Sequence, residues 1–333
     1  MIDTVHLTAE LVIPMNAFQQ KKWFACHTPD GECYIQHRKK GIRVNYYPER
    51  QRIHIRGKIL KLLHNTDVLN VDDLYGTNLE LFLDQLDEYL NALFIHPLIQ
   101  IRTFKVLRID YCFNIKTPCV GQYLSFLNNA FDRCNNGCRV NHARKKNLTG
   151  SVYVKTRSDY QNNTLRNYAL NFYNKANCLE ALERKGHQIR PDEALAAQNV
   201  LRLEVQCGYQ FIKQLCKDQH TEPLFGHLLS YETAYAAEQI IYTRVFHADD
   251  SQDFYTYAAA SRLLPARGTA ARRTLLRASQ NHRITNQENA HGRSVIAHAG
   301  VYPFCFLAKD SPVEVLPNPL KLIEQKIAAS VAK

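Results

Sequence analysis

Four stretches of this chain alternate apolar and polar side chains with a period of two, the pattern of a strand with one buried face. In Arg52-Ile53-His54-Ile55-Arg56 the isoleucines share one side, and Arg52, His54 and Arg56 share the other. Leu107–Phe113 carries Arg108 and Asp110 on its polar side, and Leu201–Gln206 carries Arg202, Glu204 and Gln206. In Tyr168–Tyr173 the apolar set is Tyr168, Leu170 and Phe172, which leaves Asn171 and Tyr173 opposite. Thr4–Val12, Gly41–Tyr47 and Ser151–Thr156 are further strand candidates.

Helical patterns lie between the strands. The best runs over Thr77–Phe94, where Leu79, Phe82, Leu83, Leu86, Leu90 and Leu93 keep helical spacing behind a Thr77–Glu80 capping box. Others are expected at Gly121–Arg133, Lys175–Lys185 and Tyr209–Lys217. From about Pro223 the strand signal fades into Ala-rich helical stretches such as Ser230–Tyr242 and Thr269–Ala278. The expected architecture is α+β: a mostly antiparallel sheet with flanking helices over residues 1–222, then a largely helical, basic region over 223–333.

With 333 residues, 45% of them apolar, the chain can bury a sizeable core, which argues against intrinsic disorder. Its net charge of +11 points to a polyanionic partner, and the surplus is concentrated. Residues 38–61 hold nine Lys and Arg against Glu49 alone. Residues 134–158 include Lys145 and Lys146 and contain no acid. Residues 254–287 include Arg267, Arg272, Arg273 and Arg277, again without an acid. Acid-free basic blocks are what counterion release from phosphates rewards. No run approaches the roughly 18 apolar residues of a membrane span, and the N-terminus lacks the basic start of a secretory signal. Most of the cysteines read as buried thiols of a cytoplasmic protein; Cys134-x3-Cys138-x3-His142 resembles a metal knuckle but lacks a second ligand pair at finger spacing.

If the four alternating strands share one sheet, the face away from the core collects His54, Asp110, Tyr173 and Glu204, flanked by Arg52, Arg56, Arg108 and Arg202. One His and two carboxylates suit Mg²⁺ or Mn²⁺, cations that polarise a phosphodiester. A tyrosine beside them is a nucleophile able to hold a phosphate covalently, and Lys175 stays on its face if the strand extends that far. Tyr153, on a neighbouring expected strand, is the next candidate; Tyr168 falls on the opposite strand face. Cross-strand ion pairing is the competing explanation for each arginine and carboxylate.

At these segments the chain resembles the gene II/X replication initiators of filamentous phages and, more distantly, the Rep-trans initiators and relaxases. The resemblance rests, in order, on the opening Met1-Ile2-Asp3, the stretch ending in His64-Asn65, Leu107–Asp110, Ala169–Lys175, Leu201–Glu204 and the basic Leu264–Arg273. It implies a fold similar to the HUH nucleases and a rolling-circle initiator in a bacterial host cytoplasm. Such a protein nicks one strand of a double-stranded origin through a 5′-phosphotyrosine and later rejoins the ends, acting on duplex and single-stranded DNA. By the same resemblance Tyr173 is the nucleophile, and Asp110 and Glu204 are metal ligands; His54 as third ligand rests on strand phase alone, because no His-hydrophobe-His triplet occurs. No Gly-x4-Gly-Lys-Ser/Thr loop is present, so unwinding falls to a host helicase and the replication machinery. The alternative is a non-catalytic, repressor-type DNA-binding protein with a helix-turn-helix near Thr269–Asn281.

Overall fold

The computed structural model describes residues 1–18, 23–39, 41–94, 99–131, 138–140, 151–156, 168–246, 253–264, 273, 305–306 and 313–331. Ten strands form one sheet: β1 (Ile2–Glu10), β2 (Phe24–His27), β3 (Cys33–Lys39), β4 (Ile42–Tyr47), β5 (Arg52–Gly57), β6 (Lys105–Lys116), β7 (Cys138–Val140), β8 (Val152–Thr156), β9 (Tyr168–Asn174) and β10 (Val200–Gly208). Their order is β2-β3-β4-β5-β1-β6-β10-β9-β8-β7, and every pairing is antiparallel. The α+β expectation is met, with every alternating segment in this sheet. A separate three-stranded sheet joins β11 (Phe254–Thr256), β12 (Cys305–Phe306) and β13 (Val315–Leu316).

One face of the large sheet is largely apolar, with His37 opposite Val44 as a buried polar exception. Val5, Leu7, Val44, Ile53, Ile55, Ile109, Phe113, Leu170, Phe172, Leu201, Leu203 and Val205 are buried in a single core. The helix Leu79–Phe94 adds Phe82, Leu83, Leu86 and Leu90 to that core, and the helix Tyr231–Phe246 adds Ala234, Ala237, Ile241 and Val245. Leu316, Leu320 and Ile323, the last two on the helix Pro319–Val331, share it as well, so described residues on both sides of Glu222 pack together. Burial of this kind contributes roughly 25 cal/mol for each Å² of apolar surface removed from water.

Local details depart from expectation in two places. Asn78, rather than Thr77, caps the Leu79 helix, its Oδ1 accepting from Leu81 N at 3.2 Å. β9 stops at Asn174, whose Oδ1 accepts from Ala176 N and Asn177 N, so Lys175 opens a helix instead of extending the strand. Gly57 ends β5 at φ +140°, where a Cβ would stand 2.5 Å from the Gly41 carbonyl oxygen, and turns the chain into Lys58. The expected helix Thr269–Ala278, the helix-turn-helix and the Cys134–His142 knuckle fall mainly outside the described residues.

Candidate active site

Cross-strand register fixes which polar residues stand side by side on the face away from the core. One rung runs Arg38, Arg43, Arg56, His6, Arg108 across β3, β4, β5, β1 and β6. A second runs Thr4, Asp110, Gln206, Ala169, Lys155. A third holds Cys112, Glu204, Asn171 and Tyr153, and a fourth Asn114, Arg202 and Tyr173. Asp110, Tyr173 and Glu204 therefore share this face as their phase requires.

The far end of the face is closed by the segment after Lys58. Asn114 Nδ2 donates to the Val68 carbonyl at 2.9 Å, and Asn70 Nδ2 to the Cys112 carbonyl at 3.2 Å. Beneath this cover Arg202, 1% exposed, donates through Nη2 to Asp3 Oδ1 at 2.7 Å and to Cys112 Sγ at 2.9 Å. Lys58 Nζ lies 3.3 Å from Asp3 and 3.4 Å from Asp67. Burial works against ionising Asp3, yet Lys58, Arg202 and Lys175 hold its carboxyl well below the ordinary range. Asp3 occupies an irregularity of β1 between Ile2 and Thr4, which brings its side chain to this network. Strand alternation does not single out Asp3 or Lys58; the Met1-Ile2-Asp3 opening is the available signal.

Tyr173 sits at the edge of this closed region. Its hydroxyl donates to Glu204 Oε2 at 3.3 Å, and Lys175 Nζ stands 5.8 Å from its ring centroid. Burial, helped by Glu204 and Asp3 and opposed by Arg202, pushes the phenol well above its usual 10. Burial and the charges of Arg202 and Lys58 lower Lys175 to about 8. Glu204 also accepts from Gln206 Nε2 at 3.3 Å, and Gln206 Oε1 accepts from the Tyr153 hydroxyl at 3.1 Å. Glu204 is thus positioned to take a phenolic proton, with the Arg202 cation opposite Tyr173 to stabilise phenolate character.

The three expected metal ligands do not converge. Asp110, 2% exposed, is held by Arg108 through Nε–Oδ1 at 2.7 Å and Nη2–Oδ2 at 2.6 Å. Burial pushes its carboxyl up to about 7; Arg108 opposes the shift, while Glu204 and Asp3 add to it. His54 stands on the correct face but a different rung, opposite Thr8 and Asn45, with Nδ1 3.1 Å from His6 Nε2. Among the described residues no three of His, Cys, Asp and Glu group closely enough to hold a metal ion. As a three-ligand centre the set does not fit, and the correction falls on His54: alternation gives its face, and register moves it away from Asp110.

The flanking arginines divide. Arg202 is a buried ion-pair member, unavailable as a surface phosphate contact, and Arg108 is committed to Asp110 while remaining partly exposed. Arg52 pairs with Glu10 at 2.7 Å. Arg56 is exposed, together with Arg38 and Arg43 of the same basic block. Arg273 is exposed, whereas Lys145, Lys146, Arg267, Arg272 and Arg277 lie outside the described residues.

A ten-stranded antiparallel sheet with a tyrosine–carboxylate–arginine cluster at one end of its polar face and exposed arginines at the other defines an α+β protein with a strongly basic outer face. Residues 1–238 match the family of phage replication-associated proteins defined by the N-terminal region of the gene II protein. The chain belongs to this filamentous-phage gene II family of replication initiators. No curated protein matches it. Among the described residues, no helix is long and apolar enough to cross a membrane.

Proposed function

We propose that this initiator nicks one strand of a double-stranded origin, with Tyr173 as the nucleophile and Glu204 as the base that activates it. The observation that carries the reading is the Tyr173 hydroxyl donating to Glu204 Oε2 at 3.3 Å with Arg202 paired across the sheet. Phenolic oxygen attacks phosphorus, the 3′-oxygen leaves, and Glu204 passes the tyrosine proton to it. The product is a 5′-phosphotyrosine and a free 3′-OH from which synthesis can start. Because the phosphodiester energy is retained, rejoining needs no nucleotide triphosphate.

The remaining residues position DNA. The exposed rung of Arg38, Arg43 and Arg56 leads toward Arg108 and offers a track for the single strand, while a host helicase supplies unwinding in the bacterial cytoplasm. The basic residues of 254–287 are proposed to hold the origin duplex. Mg²⁺ or Mn²⁺ has no assigned set of ligands in this arrangement, and no step above depends on one.

The test is cleavage of an origin oligonucleotide followed by tryptic mapping of the adduct. DNA retained on the peptide Asn167–Lys175 at Tyr173, and lost from it in Tyr173→Phe while origin binding persists, is the expected result. An intact supercoiled origin plasmid after incubation with folded wild-type protein would favour the repressor-type alternative.

A further inference from the structure

Glu204 serves two tyrosines. Tyr173 donates to its Oε2, and its Oε1 accepts from the Gln206 amide, whose own oxygen accepts from Tyr153. A continuous chain thus joins two phenols through one carboxylate. The strand register explains how: Tyr153 faces Asn171 across β8 and β9, and Tyr173 lies two residues further along β9. The tyrosines are diagonal neighbours on one face, a relation that spans about 7–8 Å in an antiparallel pair. Tyr153 is partly exposed, and its hydroxyl interacts electrostatically with Arg108, the cation at the end of the open rung. Tyr168 is excluded from this arrangement because its ring packs edge-on against Phe211 on the core side, 6.0 Å between centroids.

We propose that Tyr153 is a second nucleophile that cuts the regenerated origin while Tyr173 still carries the first 5′ end. The proposal rests on Tyr173 making the first cut. Once Tyr173 is esterified its hydroxyl proton is gone, so Glu204 Oε2 no longer receives that bond. Glu204 has passed its proton to the first 3′-oxygen and is again a carboxylate. Tyr153 then exchanges its acceptor from the Gln206 amide oxygen to the carboxylate to which the same amide is bonded. Its phenolic oxygen forms a bond to phosphorus, the bond from phosphorus to the 3′-oxygen breaks, and that oxygen takes the Tyr153 proton by way of Glu204. The new 3′-OH attacks the Tyr173 phosphodiester, the Tyr173 oxygen leaves and is reprotonated, and the displaced strand is closed. Gln206 is a positioning residue: it holds Tyr153 within reach of the shared base without touching DNA.

The full chain incubated with two single-stranded origin oligonucleotides of different length tests this. Expected are adducts on both tryptic peptides, Asn147–Lys155 and Asn167–Lys175, and polypeptides of intact mass carrying two DNA fragments. In Tyr173→Phe the adduct on Asn147–Lys155 persists, since Glu204 Oε2 has no competing phenol. In Gln206→Leu the ratio of Tyr153 to Tyr173 adducts falls by about tenfold or more, while the Tyr173 adduct itself persists. Adducts confined to Tyr173 in the wild type, with none in folded Tyr173→Phe, overturn the second nucleophile and leave the first reading standing. Adducts confined to Tyr153 overturn the assignment of Tyr173 and the two-tyrosine scheme with it. Absence of any adduct from a chain that binds the oligonucleotides overturns both.

Discussion

The two ends of one sheet face treat the same residue type in opposite ways. At the closed end Arg202 is surrounded by Asp3, Cys112 and the carbonyls of Asp67 and Val68. At the open end Arg38, Arg43 and Arg56 project from β3, β4 and β5 with their side chains in solvent. A buried guanidinium must be matched by counter-charges before the chain can fold around it. An exposed one keeps its hydration and directs its charge at whatever anion arrives. Identical side chains are therefore locked into a buried ion-pair network in one region and left to solvent in the other.

The largest effect that could break this contrast is at Arg202. Arg202→Met leaves Asp3 buried with one cation fewer, and the expected loss is about 3–5 kcal/mol, read by urea unfolding. Arg43→Gln, in the open region, should change stability by less than about 0.5 kcal/mol. Equal losses at the two positions would erase the distinction. The next effect sharpens the binding side: replacing Arg38, Arg43 and Arg56 together by Gln should flatten the log–log salt dependence of single-strand affinity by about 0.7 for each phosphate the variant ceases to neutralise. An unchanged slope would remove these residues from the DNA track.

The smallest effect lies where the two regions meet, at His6 and His54. Burial, His54 and the arginines Arg56 and Arg108 lower His6 from 6.5 to about 4. The unfolded chain therefore binds more protons than the folded one between those values, and stability falls as pH drops through that window. His6→Gln should reduce this acid-side loss of melting temperature while leaving the value near pH 8 little changed. A wild-type chain as stable at pH 4.5 as at pH 7 would show that the pair is not held neutral by its surroundings.

What the sequence made legible follows from the physics of a strand. Period-two alternation is local, so β5, β6, β9 and β10 could be read with their polar faces, and Tyr173, Asp110 and Glu204 fall on one side. Position along that face depends on pairing between strands far apart in sequence, which alternation does not encode. His54 shows the consequence: its face was legible and its rung was not. Arg202 shows another, because its burial comes from the Asp67–Asn70 segment folding over the sheet. Lys175 reaches Tyr173 by a route the strand phase does not contain, as the first residue of a helix capped by Asn174. Asp3 requires an irregular strand, and a single irregular residue leaves no periodic trace.

The placement of β1 between β5 and β6 sets a sequence of events for a chain emerging from the ribosome. β2 to β5 pair as a meander of neighbours, whereas β1 joins Ile2 to Tyr111, partners separated by most of the first third of the chain. Short loops close readily and long ones late. The arginine-bearing hairpins can therefore form while the central strand still lacks one neighbour. The tyrosine cluster must wait for β10, some 200 residues into synthesis, about 10–40 s at bacterial or slower rates. A nascent chain would present its exposed arginine rung well before its tyrosine–carboxylate cluster is assembled.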